Sequence, residues 1–143
     1  MNRVAPRDLY DVANIVDYKG NYDKFLFRKT VILLGASQRE DFRKIKADKL
    51  YEVSDKDIED SLYPLLPRDK RINKKELFNK IVPFVIDILK FASSEKEFLD
   101  RYLDYAEYKP ELLFYEYPDL IPRIVEHPAL LWKRLNVEKY LKR

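Results

Sequence analysis

The sequence has no cysteine and only two glycines among its 143 residues. Without cysteine there is no disulfide and no thiolate metal site. Two glycines are too few for a sheet protein with many tight turns or for a glycine-rich phosphate loop. The sequence also lacks an apolar signal core at its N-terminus and any apolar run of membrane-spanning length. We therefore expect a cytoplasmic protein that has no membrane partner.

Charged residues are abundant, at 37% of the chain, beside 46% hydrophobic and 14% aromatic residues. This composition predicts a folded chain with a substantial core rather than a disordered one. The net charge of +3 does not by itself indicate nucleic-acid binding. The charge is unevenly distributed, because residues 68–75 and 133–143 are basic and residues 95–119 are acidic. Such asymmetry either steers charged partners or belongs to solvated helix faces.

Apolar residues recur three and four positions apart along most of the chain, which predicts a series of α-helices. Proline or a capping residue marks expected helix starts at Pro6, Ser54, Asn73, Ser94, Pro110, Pro118 and Pro128. These residue types suit a first helical turn or an N-cap. Gly35 is the expected end of a helix over residues 22–34, and Pro83 is expected to kink or interrupt the most apolar helix.

The fold class follows from these helices, since no two short apolar segments are joined by a convincing hairpin turn. The polar stretch 39–51 is either a short helix or a linker. The prediction is one all-α domain over residues 1–143, an irregular bundle of about six to eight helices.

Two carboxylates, Asp8 and Asp11, lie three residues apart on the helix that begins at Pro6, and this spacing places them on one face. Such a pair can hold a divalent cation, polarise a hydroxyl group or orient a lysine. Acidic residues in a first turn also favour the helix dipole, and Arg7 and Asp11 are spaced for an ordinary surface ion pair. The residues alone leave both interpretations open.

The segment from Asn2 to Val12 contains the pattern R-x-x-x-R-D-L-Y-D. It resembles a segment of the nucleotidyltransferases of the AbiEii/AbiGii toxin family. The segment from His127 to Lys133, which begins with His-Pro and ends with Trp-Lys, resembles one near that family's C-terminus. The resemblance implies the C-terminal helical portion of a toxin from a bacterial abortive-infection (phage-defence) or type IV toxin–antitoxin system. It also implies that Arg7, Asp8 and Asp11 belong to a catalytic segment.

The family's Gly-Ser and Asp-x-Asp metal-binding segment is missing, and so is the cleft lysine expected before Arg3. Asp55-Lys56-Asp57 has the spacing, but it follows Ser54 and is interpreted as a helix cap. For a full-length protein the resemblance implies an N-terminal catalytic half, a nucleoside triphosphate, Mg²⁺ and an RNA acceptor such as tRNA. Because phosphoryl-type transfer needs metal-borne charge neutralisation, we expect this chain alone to have no cofactor or metal and no activity.

The alternative is a stand-alone helical protein-interaction module without a catalytic role. In the toxin interpretation, the absence of the catalytic half is expected to expose an apolar surface and promote self-association.

Three further features carry expectations. The basic run provides a candidate phosphate or nucleic-acid site at Arg68, Lys70, Arg71, Lys74 and Lys75, unless it is simply a solvated loop. The single histidine, His127, is expected to cap or pack a helix end rather than act as a ligand or base. Trp132 is expected to anchor the core beside Leu131 and Leu135.

Overall fold

The computed structural model describes residues 5–18 and 20–142. The protein is 74% helical, with no β-strand in this part of the chain, so the predicted all-α fold is confirmed. The α-helices are α1 (Pro6–Asp17), α2 (Lys24–Ala36), α3 (Asp55–Asp57), α4 (Lys74–Leu89), α5 (Ser93–Tyr105), α6 (Ile121–Val125) and α7 (Pro128–Leu141). A π-helix, Ile58–Leu62, continues α3, and short 3-10 helices cover Phe42–Lys44, Ala47–Glu52, Tyr63–Leu65, Arg68–Lys70, Pro110–Leu112 and Pro118–Leu120. None of the helices described is both long and apolar enough to cross a bilayer.

The chain divides into two compact units. The first unit combines Met1–Asn21 with Ile45–Leu89, and the second combines Tyr22–Lys44 with Lys90–Arg143. Each unit is therefore assembled from two separate stretches of sequence. The single domain expected over residues 1–143 stays a prediction, and the two units are described one at a time.

The first unit is built around α1 and α4, which pack against each other. Its apolar core consists of Leu9, Ala13, Val53, Ile58, Leu62, Leu77, Phe78 and Ile81. Pro6 begins α1 as predicted, because its missing N–H costs nothing in the first turn. α4 runs through Pro83 to Leu89, so the expected interruption does not occur. Packing against α1 overrides the local helix-breaking preference of proline.

Two predicted caps in the first unit are confirmed. The Asp57 N–H donates to Ser54 Oγ over 3.1 Å, and the Ser54 N–H donates to Asp57 Oδ2 over 3.0 Å. The Glu76 N–H donates to Asn73 Oδ1 over 2.8 Å at the start of α4. The Asp55-Lys56-Asp57 segment therefore starts a helix, as its sequence predicts.

The second unit is built around α5, which packs against α2 and α7. Its buried apolar residues are Ile32, Leu33, Ala36, Phe42, Phe98, Leu99, Tyr102, Ala106, Leu113, Phe114 and Leu130. The Tyr102 hydroxyl donates to the Leu130 carbonyl oxygen over 2.6 Å and so joins α5 to α7. The three later prolines, Pro110, Pro118 and Pro128, each begin a helical segment as expected.

Gly35 does not end α2, which continues to Ala36. The helix end expected at Gly35 is therefore wrong, and no glycine among the described residues has the positive φ of a left-handed helix cap. The physical role of Gly35 is close packing: a Cβ atom there would lie 2.6 Å from two ring carbons of Phe42. At the other end of α2, Asp23 is the N-cap, and its Oδ1 accepts the Leu26 N–H over 3.0 Å.

α5 begins one residue earlier than Ser94 and uses a different cap. Its N-cap is Ala92, whose N–H donates to Glu95 Oε1 over 2.7 Å. Glu97, three residues after Ser94, instead accepts from Arg101 Nε over 3.0 Å one turn further along. The cap predicted at Ser94 is wrong, because the buried Glu95 carboxylate accepts the backbone N–H at the start of α5.

The second unit contains a buried charge cluster of Arg28, Lys29 and Glu95. Arg28 Nε and Nη2 donate to the two Glu95 oxygens over 2.9 Å each, and Lys29 Nζ donates to Oε2 over 2.8 Å. Lys29 and Glu95 are 2% and 1% exposed. Burial alone would raise the pKa of Glu95, but hydrogen bonds from Arg28, Lys29 and the Ala92 N–H outweigh it and lower the pKa to about 2.

A second group of paired charges surrounds Arg43 in the same unit. Its guanidinium donates to Asp41, Asp100 and Asp104 over 2.8 to 3.0 Å. The hydrogen bonds that it donates to Asp104 and Asp41 raise the pKa of Arg43 despite partial burial. One guanidinium therefore pairs with three carboxylates and ties the 3-10 turn Phe42–Lys44 to α5.

Candidate functional site

The segment predicted to be catalytic lies on α1 in the first unit. Arg7, Asp8 and Asp11 are exposed, whereas Pro6 and Leu9 on the same helix are buried. The Ala5 N–H donates to Asp8 Oδ2 over 3.3 Å, so Asp8 helps to cap the helix start. Arg3 and Val4, which open the same sequence pattern, lie outside the described residues.

The carboxylates of α1 do not fit the Mg²⁺ ion that the resemblance implies. Asp8 already accepts a backbone N–H, and Asp11 is one exposed carboxylate. A divalent cation needs several convergent oxygen ligands, and within residues 5–18 and 20–142 no three acidic or histidine side chains form a group suited to a metal. Asp57 is likewise committed to its cap with Ser54.

The basic run divides into two parts. Arg68 and Lys70 lie in an exposed 3-10 turn. Arg71 packs onto the body of the first unit, because its Nε donates to the Tyr63 carbonyl oxygen over 3.2 Å and its guanidinium lies 5.6 Å from the Tyr63 ring centroid. Lys74 and Lys75 begin α4 and line a pocket. Of the five basic residues, Lys74 and Lys75 line the pocket and Arg68, Lys70 and Arg71 do not, so the phosphate site over the whole run stays a prediction.

This pocket, called the basic pocket below, has a volume of about 530 Å³ and is open to solvent. Its lining residues are Tyr51, Asp55, Lys74, Lys75, Phe78, Asn79, Val82 and Pro83. All of them belong to the first unit. The volume is in the range typical of small-molecule sites. Arg7, Asp8 and Asp11 do not line it.

Two aromatic rings form the apolar part of the basic pocket. Tyr51 meets Phe78 edge to face, with ring centroids 5.2 Å apart and an interplanar angle of 77°. Phe78 is buried in the core of the first unit, whereas Tyr51 is 55% exposed. Lys74 Nζ lies 5.4 Å from the centroid of the Phe78 ring, so a cation–π contact holds this ammonium group at the pocket.

The polar part of the basic pocket consists of Lys74, Lys75, Asp55 and Asn79. Among the described side chains, no carboxylate lies within ion-pair distance of either lysine. Two ammonium groups facing one carboxylate favour an anionic ligand. The carboxylate of Asp55 and the amide of Asn79 add hydrogen-bond acceptors and donors beside them.

Sequence reasoning found the two lysines of this pocket but missed Tyr51, Asp55, Phe78 and Asn79. A signal for part of the set exists on α4. Lys74, Phe78 and Val82 are four residues apart, as are Lys75, Asn79 and Pro83. Residues at this spacing form adjacent rows on one helix face. Tyr51 and Asp55 come from a different segment, so no local pattern could reveal them.

The His-Pro and Trp-Lys pairs of the second resemblance lie at the start of α7 and within it. Trp132 is 65% exposed and Leu135 is 54% exposed, so the expected core anchor is wrong. Leu130, not Trp132, is the residue of α7 that is fully buried. His127 occupies the N-cap position of α7, but its exposed side chain makes no capping hydrogen bond. Only its position at a helix end agrees with the expectation.

Comparison of the chain with protein-family models, with curated proteins and with solved structures finds no match. The chemistry proposed for the exposed face of α1 and for the basic pocket is therefore inferred from the residues and distances of each region.

Proposed function

We propose that this chain is the C-terminal helical portion of a nucleotidyltransferase toxin similar to AbiEii, acting in the bacterial cytoplasm and inactive in nucleotide transfer by itself. The observation that supports this proposal is the placement of the R-D-L-Y-D segment. Its Leu9 is buried in the core of the first unit, while Arg7 and Asp11 are exposed on α1. The segment is therefore held rigidly by packing while its charged side chains stay available.

The charged groups of α1 can assist phosphoryl-type transfer without carrying it alone. The Arg7 guanidinium can bind phosphate oxygens, and the Asp11 carboxylate can accept a hydrogen bond from an acceptor hydroxyl. Asp8 orders the first turn of α1 through its bond to the Ala5 N–H. Charge neutralisation at the transferred group must come from an N-terminal catalytic half with its nucleoside triphosphate and Mg²⁺. An RNA acceptor such as tRNA is the proposed partner of the exposed Arg68 and Lys70.

The proposal has a direct biochemical test. Residues 1–143, incubated with labelled nucleoside triphosphates and RNA, are expected to transfer no nucleotide. Robust transfer that disappears in the Asp8→Asn variant would contradict the predicted inactivity. Asp17→Asn is the matched control, since Asp17 is an exposed carboxylate at the other end of α1. Circular dichroism spectra establish that each variant is folded.

The encoding gene provides the second test. An in-frame Gly-Ser and Asp-x-Asp segment upstream of Arg3 is expected, and a protein that includes it should transfer nucleotide. In that protein Asp11→Asn should lower the transfer rate, while Asp17→Asn should not. An unrelated upstream sequence would contradict the proposed enzyme and favour the alternative function.

The alternative is a helical protein-interaction module, and the exposed face of α7 favours it. Trp132 and Leu135 are three residues apart, which places them on one side of the helix. Exposed basic residues accompany them at Arg134, Lys139 and Lys142. This combination fits a partner protein with an apolar groove bordered by carboxylates.

A photo-crosslinking residue at position 135 tests this alternative in cells. A cross-linked partner that is lost when Lys139→Glu and Lys142→Glu are combined would support recognition of an acidic groove. Unchanged cross-linking in that double variant would contradict it.

A further inference from the structure

The basic pocket of the first unit is not explained by the proposed transfer reaction. Arg7, Asp8 and Asp11 do not line this pocket. Its lining residues come from the 3-10 helix Ala47–Glu52, from α3 and from α4. Three observations define its ligand: an exposed aromatic ring held by a buried one, two lysines at one pocket, and a carboxylate with an amide beside them.

The aromatic ring points to a planar ligand group. Tyr51 lines the pocket with much of its side chain exposed, and Phe78 supports it edge to face from the core. A ring fixed in this way offers a stacking surface at little entropic cost, because its position is already determined by packing. Nucleobases stack on such rings whatever their identity.

The lysines point to a phosphate. Lys74 is held at the pocket by its contact with the Phe78 ring, and Lys75 follows it at the exposed start of α4. Exposed lysines without an ion-pair partner are common on protein surfaces, so neither residue alone defines a site. What distinguishes this pair is that both line the same pocket as the aromatic ring.

Asp55 and Asn79 restrict the ligand further. A carboxylate in the same pocket repels a second anionic group and accepts hydrogen bonds from N–H or O–H donors. Base amino groups and ribose hydroxyls are such donors, and the Asn79 amide can pair with either kind of base edge. A simple polyanion therefore fits this pocket less well than a ligand with one anionic end and one hydrogen-bonding end.

We propose that the basic pocket binds a mononucleotide unit, with the base on Tyr51, the phosphate at Lys74 and Lys75, and N–H or O–H donors at Asp55. A free mononucleotide and the phosphorylated terminal nucleotide of an RNA strand have this same chemistry. The inference stands whether or not the chain belongs to a nucleotidyltransferase, because it rests on the pocket alone.

Isothermal titration calorimetry on residues 1–143 tests the proposal with four probes. These are a nucleoside 5′-monophosphate, the corresponding nucleoside, ribose 5-phosphate and inorganic phosphate. The mononucleotide is expected to bind about tenfold or more tightly than any of the other three, because stacking and charge act together only in that ligand. Equal binding of ribose 5-phosphate or inorganic phosphate would overturn the proposal, since the lysines would then hold only an adventitious anion.

Variants locate the binding. Tyr51→Ala and the Lys74→Ala, Lys75→Ala pair are each expected to weaken mononucleotide binding about tenfold or more. Lys56→Ala is the matched control, because Lys56 is an exposed lysine of the same unit that does not line the pocket. An equal loss of affinity in Lys56→Ala would overturn the proposed location. Unchanged circular dichroism spectra and unfolding midpoints show that the pocket variants fold.

An RNA arm separates the two sources of the ligand. A 5′-phosphorylated oligoribonucleotide that binds more tightly than the mononucleotide, and is displaced by it, would assign the pocket to an RNA end. Tighter binding of the free mononucleotide would assign it to a small metabolite. Both results support the pocket, whereas an oligoribonucleotide that binds equally well to the Tyr51→Ala variant would contradict it.

Discussion

The two units of this protein use their charged residues in different ways. In the second unit Arg28 and Lys29 pair with the buried Glu95, and Arg43 pairs with three aspartates. In the first unit Lys74, Lys75 and Asp55 line an open pocket, and Arg7 and Asp11 lie exposed on α1. These charged groups of the second unit are therefore paired with each other within the fold, whereas those of the first unit are open to solvent.

This difference separates residues that hold the fold from residues that are available to bind. A charge that is buried and fully hydrogen-bonded is costly to remove, and it has no capacity left for a ligand. An exposed lysine or aspartate contributes little to folding but keeps its full hydrogen-bonding capacity. The overall composition does not reveal this division, because the net charge of +3 averages over both units.

The largest expected effect comes from Glu95→Gln. This change leaves the Arg28 and Lys29 charges without a carboxylate in a buried site, which costs about 3–5 kcal/mol in the free energy of unfolding. Urea unfolding measures the loss. Glu97→Gln is the control, because Glu97 pairs with Arg101 at the exposed surface of the same helix. A similar, small loss in both variants would show that the buried cluster is not what distinguishes the second unit.

Acid should weaken the second unit over a definite pH range. The pKa of Glu95 is about 2 in the folded protein, below the value of about 4.3 for a free glutamate. As the pH falls, the Glu95 carboxylate therefore takes up a proton at a lower pH in the folded state than in the unfolded state. Stability from this carboxylate is fully present above about pH 5 and declines as the pH falls toward 2, by about 3 kcal/mol in all.

The free energy of unfolding measured between about pH 6 and pH 2.5 checks this sign. The Glu95→Gln variant is expected to lose much of the acid dependence, since the titrating group is gone. If wild type and variant have parallel pH profiles, the acid sensitivity belongs to other carboxylates.

The smallest expected effect comes from an exposed ion pair in the first unit. Lys80 Nζ lies 2.6 Å from Asp17 Oδ2 and connects α4 to α1, with both side chains largely in solvent. Asp17→Asn should cost less than about 1 kcal/mol, and about 1 M NaCl should remove most of that difference. Urea unfolding at low and high salt measures it. A loss as large as that of Glu95→Gln would remove the contrast between the units.

Helix starts were predictable from the sequence because they depend on neighbouring residues. Pro6 and Pro128 each begin a helix, and Ser54 caps one through Asp57 three residues later. Predictions from neighbouring residues failed where a contact with a residue distant in the sequence determines the helix end. Gly35 lies inside α2 because the Phe42 ring packs against it. Ser94 does not cap α5 because Glu95, drawn inward by Arg28 and Lys29, takes the role.

The candidate site was predictable only in part for the same reason. Lys74 and Lys75 stood out as part of a basic run, whereas Tyr51 and Asp55 reach the pocket through tertiary packing. Lys29 falls at an apolar position of the α2 pattern, which is a sign of burial. Its partner Glu95 is 66 residues away, so the sequence alone could not supply the pairing.

The Tyr102 hydroxyl bond to Leu130 has a consequence at the alkaline end of the pH scale. Burial raises the pKa of the Tyr102 phenol, although Arg134 acts weakly in the opposite direction. Folding therefore holds this proton beyond the pH at which a free tyrosine releases it, and the stability that the neutral phenol contributes declines as the pH rises above the ordinary tyrosine pKa, where the unfolded chain loses a proton that the folded chain keeps. Because tyrosinate absorbs ultraviolet light differently from tyrosine, the delayed ionisation of Tyr102 and of the partly buried Tyr108 provides an optical signal for the unfolding of the second unit in alkali.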